Sequence, residues 1–293
     1  VPSSPLENRT VVVTGAARGV GAALAHEVAR RGARTALLGH EPDLLAEVAA
    51  RLPTPALAIE ADVTDLTTLR RAAREVRHRL GTPSVVIANA GVAQGGLFEA
   101  TDPAEWRRVV DVNLTGSAQT ARAFLPDLRA SAGYYLQIAS LASLGAAPLM
   151  SAYCASKAGV EAFAHALRAE VAGHGVAVGI AYLNWTDTDM IHDADRYTVL
   201  RELRGHMPRP ARRVYDVAEV AERIVRGLER RRTAVYAPPW LRLIQPVRAV
   251  LPPLVLRRSR HDVARLEAGG SLLTTGPLGA GGAADDAARR HPR

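Results

Sequence analysis

From Thr10 onward, short and nearly continuous aliphatic runs alternate with longer stretches in which apolar residues recur every three or four positions. The runs TVVVTG (10–15), ARTALLG (33–39), ALAIEAD (56–62), SVVIANAG (84–91), YYLQIAS (134–140), VAVGIAYL (176–183) and TAVYA (233–237) read as strands. Between them, helical periodicity covers about 18–31, 42–52, 66–80, 103–130, 152–172 and 216–231. Regular strand–helix alternation of this kind predicts an α/β fold: a doubly wound parallel sheet of about seven strands with helices on both faces. Residues 1–239 are expected to form one domain, with an irregular polar loop over about 184–215.

The alternation stops beyond residue 240. Residues 240–268 mix apolar residues with arginines, and Pro246, Pro252 and Pro253 are expected to interrupt any helix there. Ten apolar residues between Trp240 and Leu256 need cover. Folding back over the domain is therefore favoured for this segment over lying on an anionic membrane, where an unbroken amphipathic helix serves better. The Gly/Ala-rich stretch 269–293 reads as a flexible tail.

Charge sharpens this division. The chain of 293 residues carries a net charge of +8, yet residues 1–200 hold 18 basic and 20 acidic side chains while residues 201–260 hold 15 and 5. This excess suits an acidic protein partner or a membrane surface; without a nucleic-acid-binding motif beside it, no nucleic-acid partner is expected. There is no run of 18 uncharged apolar residues and no signal-peptide pattern at the first residues, so a cytoplasmic location is expected. A single cysteine, Cys154, excludes an intramolecular disulfide and a cysteine-based zinc site.

Against 36 arginines stands one lysine, Lys157, four residues after Tyr153 in SAYCASKAGV. Lysine is a compact point charge that fits a crowded site where the guanidinium fork does not. Residues four apart on a helix share a face, so Lys157 can place its charge beside the Tyr153 phenol and favour the phenolate. Further upstream, TGAARGVG (14–21) follows the first strand and opens the first helix. There Gly15, Gly19 and Gly21 let the backbone turn sharply and approach a pyrophosphate at the helix N-terminus.

These motifs, with NAG at Asn89–Gly91, Asn113 and Ser140, make residues 8–238 resemble the compact single-domain branch of the short-chain dehydrogenase/reductase superfamily, a Rossmann-type fold. The resemblance implies a catalytic group of Asn113, Ser140, Tyr153 and Lys157. Tyr153 acts as acid and base, Ser140 holds the substrate oxygen, Asn113 fixes a water in a relay to Lys157, and Lys157 also binds the nicotinamide ribose. Cofactor contacts are expected from Gly15, Arg18, Gly19, Val20, Gly21, Gly39, His40, Asp62, Val63, Asn89, Ala90, Gly91 and Thr188, together with Tyr153 and Lys157. Gly39 and His40 stand where a ribose-binding carboxylate would repel a 2′-phosphate. NADP(H) is therefore favoured, with Arg18 and His40 on the phosphate and NAD(H) as the alternative.

Leu183 and Asn184 replace the Pro-Gly pair common in the family, which predicts altered loop geometry beside the nicotinamide pocket. Asp187, Asp189, His192, Asp193 and Asp195 read as a mobile lid with solvated carboxylates, and no metal is expected. Leu97, Phe98, Leu144, Met150 and Trp185 are candidates for an apolar substrate wall. The leading reading is an NADP(H)-dependent oxidoreductase acting on a small hydrophobic ketone, aldehyde or secondary alcohol, as a homodimer or homotetramer packed through the helix starting near Ala152. A ketoreductase for an acyl chain on an acidic carrier protein, and a non-catalytic dinucleotide-binding regulatory protein, are the alternatives.

Overall fold

In the computed structural model, which describes residues 4–268 and 274–290, seven parallel strands form one sheet in the order β3-β2-β1-β4-β5-β6-β7. The chain runs β1 (Thr10–Thr14), α1 (Gly19–Arg30), β2 (Arg34–Gly39), α2 (Pro42–Ala50), β3 (Ala56–Glu60), α3 (Leu66–Leu80) and β4 (Pro83–Ala88). It continues through α4 (Pro103–Val110), α5 (Gly116–Ala130), β5 (Tyr134–Ser140), α6 (Ser151–Val171) and β6 (Ala177–Leu183). Three short helices follow, α7 (Asp189–Ala194), α8 (Thr198–Gly205) and α9 (Arg209–Arg212), and then α10 (Val217–Glu229) and β7 (Ala234–Ala237). The C-terminal part adds α11 (Leu241–Ile244), α12 (Leu251–Ala268) and α13 (Gly279–Arg290).

Strand β1 shows how the sequence builds two cores from one sheet. Val12 packs on one face with Val76, Phe124 and Val160 from α3, α5 and α6. Val11 and Val13 point to the other face, with Leu24 and Val28 of α1 and Ile224 of α10. Successive side chains alternate across a strand, so a run of valines buried on both faces requires helices on both. The order reverses between β1 and β4, which opens a crevice at the carboxyl ends of the strands.

Local signals set most helix starts. Asp65, Asp102 and Asp216 cap α3, α4 and α10 by accepting main-chain N–H groups, and Pro103 occupies the first turn of α4. The helical region expected over 103–130 is divided by a π-helical turn, Asp111–Thr115, that carries Asn113.

Two expectations for the C-terminus are corrected. Pro252 and Pro253 do not stop a helix: they lie in the first turn of α12, where main-chain N–H groups lack intrahelical acceptors in any case. Residues 279–290 of the stretch read as a flexible tail form α13, which packs against α7, while residues 269–273 and 291–293 lie outside the described part. Folding back covers only part of the extension's apolar surface: its start packs onto the domain, while Leu243, Val247, Val250, Leu254 and Leu256 remain 48–70% exposed. Leu241 is fully buried, Trp240 Nε1 donates to the Tyr215 hydroxyl at 3.0 Å, and Gln245 and Arg248 donate to Glu161 of α6 at 3.1 and 2.7 Å. Among the described residues no helix is long and apolar enough to cross a membrane.

Candidate active site

The crevice between β1 and β4 is floored by the glycine turn. Gly15 and Gly19 have φ of +63° and +50°, and a Cβ on Gly21 would lie 2.0 Å from the Gly15 carbonyl oxygen. Only glycine permits this closeness. Asn89 fastens the turn to β4 by donating through Nδ2 to the carbonyls of Thr14 and Gly15, while the Thr14 hydroxyl accepts the N–H groups of Asn89 and Ala90. The first turn of α1 has neither a side-chain cap nor an acidic residue, so its N–H groups face the cleft without competition. A backbone cradle bare of Cβ atoms beside an uncapped helix fits the pyrophosphate of a dinucleotide.

The adenosine end differs from its expectation. Gly39 and His40 do leave the end of β2 without a carboxylate, but two others stand nearby. Glu41 chelates the Arg18 guanidinium, with Nε–Oε distances of 3.0 Å and Nη2–Oε1 at 2.6 Å. Asp285, delivered by α13, lies 3.6 Å from His40 Nε2 and pairs through both oxygens with Arg108, Nε to Oδ2 at 2.9 Å. Asp62 also lies 3.6 Å from His40. Burial works to raise the Asp62 pKa, but hydrogen bonds from the Thr64 N–H and hydroxyl, with His40 and Arg108 nearby, bring it below the usual carboxylate range. Val63 and Val20 line the same cleft.

Farther along the cleft, β5 and α6 bring Ser140, Tyr153 and Lys157 together. Tyr153 and Ser140 line the cleft together, and Ser140 caps a 3-10 turn, Leu141–Ser143, by accepting the Ala142 N–H. The Lys157 ammonium lies 5.6 Å from the Tyr153 ring centroid and donates weakly to the Ile138 carbonyl at 3.4 Å. Asn113 stands at the same place: its Oδ1 accepts the Val92 N–H at 2.8 Å and its Nδ2 donates to Val92 O and Ser156 Oγ. A Cβ on Gly91 would lie 3.2 Å from Asn113 Oδ1 and 3.5 Å from Lys157 Nζ, so these side chains converge on one small residue. The π turn under Asn113 widens the helix where the side chain must reach β4.

Burial governs the titration of this group. It raises the Tyr153 pKa above its ordinary value, and the nearby Ser140 side chain acts in the opposite direction without overcoming it. Burial also lowers Lys157 to about 8. The simple expectation that the ammonium pulls the phenol downward is thus corrected, because Lys157 is itself desolvated and faces the ring. Tyr153 is a neutral phenol in this state, a proton donor poised beside Ser140.

The substitution of Leu183–Asn184 for Pro-Gly has a visible consequence. Asn184 Nδ2 donates to the carbonyls of Pro210, Ala211 and Arg213, and its main-chain N–H donates to Ala237 O, tying the end of β6 to the segment after α9. Thr188 lines the cleft opposite Gly19, with its Cγ2 3.1 Å from a Cβ placed there. The lid carboxylates divide: Asp195 pairs with Arg204 and Asp193 accepts the Gly279 N–H, whereas Asp187, paired with His192, and Asp189 stay 51% and 59% exposed as expected of solvated groups. No group of metal-ligating side chains is present among the described residues.

Beside Tyr153 an apolar cluster of Ala93, Leu149, Ala194, Leu200 and Leu278 is joined by Leu97, Met150 and Met190. Two of the expected wall residues, Leu97 and Met150, belong to it. Three do not: Phe98 is 71% exposed, Leu144 is buried in the main core, and Trp185 packs its ring against the Arg204 guanidinium. Sequence reading missed Leu278 and Asp285, which the C-terminal segment delivers, Arg108 of α4, which pairs with Asp285, and Ser143, whose hydroxyl donates to Lys157 O at 2.8 Å. No short-range pattern marks any of them.

Comparison with known proteins agrees with this geometry. The family model described as short chain dehydrogenase matches residues 9–197. The chain is 28% identical over 269 residues to 11-beta-hydroxysteroid dehydrogenase-like 4A of Arabidopsis thaliana, covering 89% of this chain and 86% of the relative. It is 32% identical over 262 residues to 11-beta-hydroxysteroid dehydrogenase 1A of the same plant, covering 86% and 75%. An uncharacterized oxidoreductase of Staphylococcus saprophyticus is 30% identical over 195 residues, 65% of this chain and 83% of that protein. A glycine cradle, a tyrosine–lysine pair in the same cleft and a family match over most of the sheet lead to one conclusion: the chain belongs to the short-chain dehydrogenase/reductase family and is an oxidoreductase of the NAD(P)-using kind.

Proposed function

We propose that the protein interconverts a bulky apolar secondary alcohol and its ketone, using NADP(H), with Tyr153 as the acid and base. The observation that carries this is the meeting of Tyr153, Ser140 and Lys157 in one cleft, set between the glycine cradle and the apolar cluster around Leu149 and Leu278. When bound, the nicotinamide supplies or accepts the hydride. In carbonyl reduction the Tyr153 phenol gives its proton to the emerging alkoxide while the Ser140 hydroxyl holds the same oxygen. Lys157 supplies positive charge beside the ring as phenolate forms.

The apolar side chains gathered beside Tyr153 support a substrate recognised by shape and burial. Two plant relatives carry hydroxysteroid dehydrogenase names, which supports a rigid, multi-ring substrate of the same chemical kind. NADP(H) is supported by His40 just after β2, by Arg18 at the start of α1 in the same lining, although Glu41 holds its guanidinium, and by the absence of a carboxylate at Gly39. The assay is nicotinamide absorbance with a panel of polycyclic, aliphatic and aromatic alcohols and ketones. Turnover of apolar secondary alcohols that Tyr153→Phe abolishes is the expected result; turnover confined to charged or carrier-bound substrates would overturn the substrate class.

Pairing of two copies through α6 is proposed as well. Its outer face carries exposed Ala155, Ala158, Ala162, Ala166 and Ala169, which allow close helix approach. Light scattering tests it: a dimer or larger in the parent and dissociation by Ala158→Arg are expected, and a parent monomer at all concentrations would refute it.

A further inference from the structure

The C-terminal segment closes the cleft like a strap. The Thr275 N–H donates to Gly95 O at 2.9 Å and the Leu278 N–H to Ala93 O at 2.8 Å, on the rim after β4. On the lid side the Tyr197 hydroxyl donates to Thr275 O at 2.8 Å, and the Gly279 N–H donates to Asp193 at 2.9 Å. From these anchors α13 runs across the adenosine end, where Gly281, Gly282 and Asp285 form one wall of the cleft whose opposite wall includes Gly39, His40 and Val63.

Asp285 is the charged point of this strap. Its side chain is 5% exposed, whereas Asp286 and Arg289 of the same helix are 25% and 33% exposed. It reaches the Arg108 guanidinium, which is itself 14% exposed and also donates to the Thr64 hydroxyl at 3.1 Å. A guanidinium with both forks on a carboxylate, a hydroxyl beside it and an imidazole 3.6 Å away make up the chemistry of an anion seat. A phosphate needs the same donors. With Asp285 and Asp62 both present, Arg108 is the only permanent cation among these four side chains, and a further dianion meets net repulsion.

We infer that Asp285 is an internal stand-in for the adenosine 2′-phosphate: it holds the strap closed on Arg108 and His40, and NADP(H) must displace it to bind, whereas NAD(H), lacking that phosphate, gains little from its removal. The inference rests on the NADP(H) reading above and deepens it. It assigns Arg108 and Thr64, with His40, as phosphate partners exposed when α13 lifts, and it makes residue 285 a determinant of cofactor choice. Because the strap is bonded to both Asp193 and Tyr197, its release also loosens the lid over the apolar cluster.

The test measures binding to the full chain, not turnover. NADPH and NADH are titrated by fluorescence into the parent and Asp285→Asn, and adenosine 2′,5′-bisphosphate and 5′-AMP are titrated by calorimetry. The expected result is a gain of about fivefold or more for the two 2′-phosphorylated ligands in Asp285→Asn, and a change under about twofold for NADH and 5′-AMP, since only a differential contact shifts the equilibrium. Arg108→Met in the Asp285→Asn background should remove the gain. As a check that needs no variant, trypsin cleavage after Arg289 in the parent should speed up with adenosine 2′,5′-bisphosphate and not with 5′-AMP. An equal gain for both ligand classes, or weaker NADPH binding in Asp285→Asn, would overturn the inference. Failure of every form to bind either dinucleotide would instead sink the cofactor reading, and the inference with it.

Discussion

The Ser143 hydroxyl donates to the main-chain carbonyl of Lys157 at 2.8 Å, which locks the turn after β5 onto the helix that carries the tyrosine and lysine. The same hydroxyl accepts the Ser140 N–H at 3.3 Å. One buried side chain thus sets the spacing between the residue that holds the substrate oxygen and the residues that move the proton.

Ser143→Ala is therefore expected to lower kcat more than it raises the KM for cofactor. Losing this buried hydrogen bond, while the Lys157 carbonyl keeps its helical donor, costs about 0.5–1.5 kcal/mol, and thermal denaturation should show a Tm loss of a few degrees. An unchanged kcat with a lowered Tm would make Ser143 structural only.

Tyr153→Phe should cut hydride transfer by about 10²-fold or more while leaving NADPH affinity near that of the parent, because it removes a proton donor and keeps the ring. The pH dependence follows from the raised phenol. Below its pKa Tyr153 is protonated, so kcat/KM for ketone reduction should not need alkaline conditions, whereas alcohol oxidation requires phenolate and should climb with pH through the alkaline range. An oxidation profile already flat from pH 6 upward would contradict the burial argument.

Lys157 offers a test of stability against function. Its folded pKa of about 8 lies below the ordinary 10.5, so the unfolded chain binds the extra proton between these values. Stability therefore carries the full burial penalty below pH 8 and regains it as pH rises toward 10.5. Lys157→Met is expected to lose turnover yet to match or exceed the parent in urea denaturation at pH 7, with its advantage shrinking as pH rises. A variant much less stable than the parent at pH 7 would show that hydrogen bonding outweighs desolvation there.

Gly39→Asp probes cofactor choice from the β2 side. A Cβ there meets only Leu45, at 3.7 Å, so the substitution adds a carboxylate without steric strain. NADPH affinity is expected to fall relative to NADH, read by fluorescence titration. Equal losses for both would mean that this position lies outside the ribose contacts.

Arg248 ties the extension to the domain through Glu161, whose carboxylate is 4% exposed and also accepts from Tyr182 and Gln245. Burial works to raise the Glu161 pKa, yet its hydrogen bonds hold it below the ordinary value, so its stabilisation is present above that value and is lost as pH falls through the folded pKa. Arg248→Ala leaves this carboxylate short of its cation. Circular dichroism melts should show a lower Tm near pH 7 and a smaller difference at acid pH, where Glu161 is neutral; equal losses at both would assign the effect to packing.

Much of this protein was determined locally. The valines of β1 had to be buried on both faces because alternation leaves no solvent side, and Gly21 had to be glycine because the Gly15 carbonyl occupies the space of a Cβ. Tyr153 and Lys157 share a helix face through their spacing alone. What the tertiary structure decided depends on contacts between residues far apart in the chain. Asp285 reaches Arg108 across 177 positions, Asn184 reaches the carbonyls of 210–213, and Glu161 meets Arg248 across 87. The Gly/Ala-rich composition of 274–290 concealed α13, since small residues carry no periodic signal and gain their order here from close packing, as when Gly279 sits against Met190. Burial likewise decided the titration of the tyrosine and lysine, because desolvation is a property of the folded surroundings and not of their spacing.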